Sequence, residues 1–268
     1  MDQILVYFSI KYRGDWDEIY SAINRKEKVD QKEVERVVEE CNCKYITLLD
    51  DNYPKRLKSI YKPPFVLFYS GDISLLSDCY KSIGVVGSRN CSNYGKKATQ
   101  DIVKDLVKEN FIIVSGLAKG IDSISHETCL ENNGKTIAVL GNGINIYYPL
   151  ENSSLQEIIK NRGLLISEYP PFKESNKDTF PKRNRIIAGL ADAIVVTDAK
   201  YKSGSMITVS RALEMGKDIF CIPHHIYSNS GCNMLIKEGA KLIENAKDIL
   251  TEMWVNNKNS IDLNNVLT

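Results

Sequence analysis

The chain reads as an α/β fold: a Rossmann-like, doubly wound, mostly parallel sheet with helices on both faces, preceded by a small helical N-terminal module. Three features predict it. Five times an apolar, β-branched run ends in glycine or small polar residues and gives way to a helical pattern. Helices standing between successive strands imply parallel pairing through right-handed crossovers. After the fourth run comes Phe180-Pro-Lys-Arg-Asn-Arg-Ile-Ile-Ala-Gly-Leu190. It sets an aromatic ring and three cations at the start of a helix, on a fold whose ligands bind beyond the carboxyl ends of the strands. The combination points to a surface for a nucleic-acid strand.

Taken in order, residues 1–68 form the helical module and a linker, 69–250 the Rossmann-like domain and 251–268 a polar tail. In the module Trp16, Ile19, Tyr20 and Ile23 recur at helical spacing, as do Val34, Val37 and Val38. Asp50-Asp-Asn-Tyr-Pro54 is a turn cluster, and the apolar run ending at Gly71, led in by Pro63 and Pro64, is an edge strand. Strands follow at Ile83–Gly87, Ile112–Ser115, Thr136–Leu140, Leu164–Ser167, Ala193–Thr197 and Asp218–Ile222. Between them lie helices over Asn93–Asn110, from Gly120 to Leu130, near Leu155–Lys160, over Asn184–Leu190 and over Met206–Met215.

Composition sets the bounds. With 268 residues, 43% hydrophobic and 26% charged, the chain can bury a full core. A net charge of +1 excludes a strongly basic binder, so a polyanion site must come from clustered charge. The cysteines at 41, 43, 79, 91, 129, 221 and 232 are odd in number and show no Cys-x-x-Cys, against both a disulfide framework and a zinc ribbon. With no membrane-length apolar segment, the expected setting is cytosolic, away from membranes.

The strand ends carry the informative residues. In Gly87-Ser-Arg-Asn-Cys-Ser-Asn-Tyr-Gly95, Ser88 and Ser92 can donate to a phosphate and Arg89 can pair with one bidentately; the plainer reading is a turn with a surface arginine. Ser115, Gly116 and Gly120 allow close backbone approach, with Asp122 as a helix cap, or form a simple tight turn. Gly141-Asn-Gly143 is an incomplete dinucleotide fingerprint, since Ile146 stands where the third glycine belongs, and no acid ends the second strand. NAD is therefore disfavoured.

Five ordered motifs extend these features. They are Gly-Ser-Arg-x-x-Ser-x-Tyr-Gly, Ser-Gly-Leu-Ala-x-Gly-Ile-Asp-x-x-x-His, Thr-Ile-Ala-Val-Leu-Gly-x-Gly, Ile-Ser-Glu-Tyr-Pro and Phe-Pro-x-Arg-Asn-Arg-Ile-Ile-Ala-Gly-Leu. Lys202-Ser-Gly-Ser-x-x-Thr208 and Gly-Cys-Asn-x-Leu-Ile-Lys-Glu-Gly-Ala at 231–240 continue the series. From about Asp51 to Leu250 the chain resembles the DprA (Smf) family. The resemblance implies a homodimer that binds single-stranded DNA and hands it to the RecA recombinase in natural transformation, by binding rather than catalysis and without metal or cofactor. It places Arg89 on a phosphate and Lys177, in the loop before Phe180, against DNA. Phe180 fits a base-stacking platform. The full expected contact set is Gly87, Ser88, Arg89, Ser115, Gly116, Lys177, Phe180, Lys182, Arg183, Asn184, Arg185, Ser203, Gly204 and Ser205.

Local charge agrees: from Lys173 to Arg185 five cations and two acids leave +3. Lys182 and Arg183 are expected to face the strand, while Arg185 either does so or pairs with a buried carboxylate. The chain departs from the family where Pro223-His224-His225 replaces Pro-Gly, as packing or surface histidines rather than metal ligands. It also lacks a glycine-rich helix-hairpin-helix turn in the module, and its polar end, Asn256 to Thr268, leaves no room for a winged helix. The rival readings on this fold are a nucleotide phosphoribohydrolase-like enzyme and a nucleotide-sensing module. Against the first, Thr208 occupies the place of the catalytic glutamate, with Glu168 and Asp122 as the carboxylates left near the cleft.

Overall fold

Residues 1–253 are described by a computed structural model; of the tail expected over 251–268, residues 251–253 continue a helix that begins at 246, and the rest lies outside the described residues. Three helices open the chain: α1 (Asp2–Lys11), α2 (Trp16–Asn24) and α3 (Gln31–Cys41). Asp15 and Asp30 start α2 and α3 by accepting backbone N–H groups. Tyr7, Phe8, Ile19, Ala22 and Val34 close the module's own core. Leu5 and Val6 of α1 join the core of the main domain instead, so the two parts share apolar surface.

Next come β1 (Lys44–Thr47), the single turn α4 (Lys55–Lys58) and β2 (Val66–Gly71). β2 is the strand expected at the edge, but it lies one place in, paired antiparallel to β1 outside and to β6 (Leu164–Ser167) inside. Lys44–Thr47, the edge strand, is short and of mixed polarity and carries no strand periodicity of its own. The boundary expected after residue 68 falls inside β2.

The further elements include β3 (Ser82–Val86), α5 (Asn93–Lys108), β4 (Ile112–Ser115), α6 (Ile121–Glu131), β5 (Thr136–Val139), α7 (Ser153–Arg162), α8 (Thr179–Leu190), β7 (Ala193–Val196), α9 (Ser205–Glu214), β8 (Ile219–Cys221), α10 (Gly231–Lys237) and β9 (Lys241–Leu242). The sheet runs β1-β2-β6-β5-β4-β3-β7-β8-β9, parallel from β6 to β9. Alternate strand residues face opposite layers: Ile83 and Val85 pack with Ile102, Val103 and Leu106 of α5, whereas Val86, Ile194 and Val196 pack with Ile186, Ile187 and Leu190 of α8. From β3 the chain winds to β6 on one side, then crosses back to β7 on the other. That reversal opens a crevice at the carboxyl ends of β3 and β7.

Candidate nucleic-acid interface

Three segments meet over the crevice: the turn after β3, the β6–α8 connection with the first turns of α8, and the β7–α9 connection. They enclose a cleft of about 730 Å³. α8 begins earlier than expected, at Thr179, because Asn176 accepts the N–H groups of Asp178 and Thr179. Phe180 and Pro181 therefore sit in its first turn, where proline removes no needed donor. The turn places Phe180 at the cleft.

The Phe180 ring is half-buried and closely fitted. A Cβ on Gly141 would lie 2.7 Å from its Cδ1. The Tyr148 ring lies 5.2 Å away at 33°, and the Arg89 guanidinium stands over the Phe180 ring at 5.6 Å from its centroid. Arg89, Lys177, Lys200 and Lys202 line the same cleft, and all are exposed. Among the described residues none of them has a carboxylate within ion-pair distance, whereas Lys182 and Arg185 of the neighbouring helix α8 are matched to Asp15 and Glu168.

Gly87, Ser88, Asn184, Ser203, Gly204 and Ser205 also line the cleft. Ser88 orders its turn by accepting from the Asn90 N–H (3.2 Å), and Ser203 and Ser205 share a hydrogen bond of 2.7 Å. Asn184 donates to the Gly204 carbonyl at 3.3 Å. Ser92 is committed elsewhere: its hydroxyl donates to Asp198 (2.8 Å) and accepts the Gly95 N–H, capping α5.

Several expected contacts lie elsewhere. Arg183 does not face outward; it is buried on the cleft floor, donating to the carbonyls of Gly116 (2.7 Å) and Val139 and to Asn184 Oδ1 (3.0 Å). Strand ends leave carbonyls unpaired, and a guanidinium with five donors satisfies them at once. Burial pulls its pKa down to about 10, with Asp122 supporting its charge and Arg89 opposing it. Gly116 makes room for this arginine, since a Cβ would fall 2.6 Å from the guanidinium. Arg185 is paired: its two nitrogens lie 3.0 and 2.5 Å from the buried Glu168 carboxylate. Lys182 is exposed but outside the cleft, 3.3 Å from Asp15 of the module. Ser115 is buried and donates to the Val85 carbonyl at 2.7 Å.

Asp122 is not the cap of α6. Gly120 takes that place with φ +77°, and the Asp122 carboxylate accepts from the Ala118 N–H (3.4 Å). Burial raises its pKa, against the pull of Arg183. Of the paired histidines, His224 is half-buried, edge-on to Tyr94 at 5.1 Å, with Nε2 2.9 Å from the Thr197 carbonyl. His225 stays exposed beside Tyr227.

Lys200, Lys202 and Tyr148 were not foreseen as cleft residues. The lysines carried a legible signal, because residues 199–213 contain no acid. Tyr148 carried none; only the fold brings it to Phe180.

Against known proteins, the profile of a family described as DNA recombination-mediator protein A matches residues 44–254. The chain is 48% identical over 208 residues to DNA processing protein DprA of Streptococcus pneumoniae, spanning 77% of this chain and 73% of that protein. The crystal structure of the Streptococcus pneumoniae protein superposes with a TM-score of 0.78 at 39% identity, covering 94% of this chain and 93% of that one. A structure of DNA processing protein A from Helicobacter pylori, described for its single-stranded DNA binding mode, gives 0.71 at 31% identity, covering 81% and 98%.

Proposed function

The chain belongs to the DNA recombination-mediator protein A family, and on that premise we propose that its cleft holds a single strand of DNA, which the protein delivers to the RecA recombinase during natural transformation. The observation that carries this reading is the set of unmatched cations, Arg89, Lys177, Lys200 and Lys202, gathered around a half-buried aromatic ring in a chain of net charge +1. Cations without partners attract phosphates. A ring inside a cleft reaches bases only when they are unstacked, as in a single strand but not in duplex. The proposed role is one of holding and loading, with the cytosol as its setting, rather than of cutting. The only carboxylate lining the cleft among the described residues is Asp122, which is turned to a backbone N–H and to Arg183.

Fluorescence anisotropy with single-stranded oligonucleotides, duplex and mononucleotides at several salt concentrations tests the reading. Single strands are expected to bind far more tightly than duplex or mononucleotides, and affinity to fall with salt by about 0.7 in log–log slope for each phosphate held. Equal affinity for duplex, or no salt dependence, refutes it. Hydrolysis of a nucleoside monophosphate in the same samples would favour the enzyme reading.

A further inference from the structure

The neighbours of the Phe180 ring differ in what holds them. Gly141 meets it with backbone that cannot withdraw, and Tyr148 packs beside it. Arg89 is exposed, and among the described residues no hydrogen bond or ion pair holds its guanidinium; besides the ring it feels only the longer-range charges of Asp122 and Arg183. We infer that Arg89 is a latch across Phe180: the guanidinium covers the ring until a strand draws it onto a phosphate, and an unstacked base then takes the vacated surface. The inference rests on the cleft being the DNA site.

Magnitudes favour this exchange only for a ligand that brings both groups. A cation over a ring at an exposed site is worth about two- to fivefold in affinity. A charge-assisted contact with phosphate together with a stacked base outweighs it. A polyphosphate opens the latch with no base to replace it, and a duplex keeps its bases stacked inside. On the cleft floor Arg183 repels Arg89 while Asp122 attracts it, so the floor's charges act on the latch in opposite senses. The latch thus sharpens selection of single strands beyond what charge alone achieves.

Phe180→Leu removes the ring but keeps an apolar side chain. Titrated with oligothymidylate and with an abasic oligonucleotide of equal length, this variant is expected to bind the first more weakly. It should bind the second about two- to fivefold more tightly than the wild type does, because Arg89 is already free. Unchanged or weaker abasic binding overturns the latch. Phe180→Trp supplies a second readout: inorganic tripolyphosphate, which has no base, should change the indole emission, and Arg89→Ala in the same background should abolish the change. No change in Phe180→Trp also overturns the latch. The underlying DNA reading fails separately, if Arg89→Ala leaves oligothymidylate affinity unaltered.

Discussion

Arg183 and Arg185 stand two residues apart on α8, and a helix turning 3.6 residues per turn sends them to opposite sides. One meets the strand-end carbonyls under the cleft and the other meets Glu168. Glu168→Gln would leave Arg185 buried without its counter-charge, and a denaturant titration is expected to show a loss of about 3–5 kcal/mol. Arg89→Ala should behave in the reverse manner, with an unchanged melting temperature but a log–log salt slope flatter by about 0.7. Phe180→Ala is expected to lower affinity by about 1–3 kcal/mol per stacked base with the slope preserved. If its thermal melt instead shows the 3–5 kcal/mol loss typical of a core phenylalanine, Phe180 is structural and the stacking role is wrong. Residue types announced the cleft in the sequence, since Arg89, Lys177 and Phe180 all reach it. Charge counting could not tell matched from unmatched cations: the partner of Arg185 lies 17 residues away, and the partner of Lys182 lies in the N-terminal module.

At the scale of elements, α6 is tied to β5 by a histidine that has no visible part in binding. The Thr136 hydroxyl donates to the Ile113 carbonyl, so His126 Nδ1, 2.6 Å from that hydroxyl, must be the donor between them. Nε2 is left as a buried lone pair without a partner, and a proton there would have nothing to bond. Burial, with Arg183 adding to it, lowers the His126 pKa from 6.5 to about 3. Between those values the unfolded chain binds more protons than the folded one, so stability is complete above about pH 6.5 and declines as pH falls towards 3. His126→Leu should flatten the pH dependence of unfolding in that window, as read by urea titrations from pH 3 to pH 7; an unchanged profile would mean that His126 is not held neutral. The βα alternation was legible because each buried strand is a continuous apolar run bounded by glycine or small polar residues. β1 and the true start of α8 were not, since one depends on pairing with β2 and the other on the turn that the Asn176 side chain closes ahead of the helix.

For the whole molecule the question is whether one cleft suffices. With a net charge of +1 and the cations Arg89, Lys177, Lys200 and Lys202 at the site, a single cleft offers a strand a short, salt-sensitive hold. A second copy would lengthen it through effective concentration. The segments 206–222 and 235–249 are apolar enough to form a dimer surface, yet Val209, Ala212, Phe220, Leu235, Ala246 and Ile249 are buried within the chain's own core. What they leave outside is Leu213 on α9 and Leu242 on β9, 57% and 50% exposed, with Ile226 and Tyr227 on the loop between β8 and α10. Exposed apolar side chains on α9 and on the edge strand β9 offer an association surface, and a symmetric dimer through this edge of the sheet is the expected state. Light scattering at micromolar protein should give twice the chain mass, and Leu213→Lys should shift it towards the monomer. The same substitution should weaken binding of an oligonucleotide long enough to span both clefts while leaving a short one, held by a single cleft, unaffected. A monomeric wild type refutes the dimer, and equal weakening of short and long strands would mean that Leu213 acts on the cleft rather than on the association of two copies.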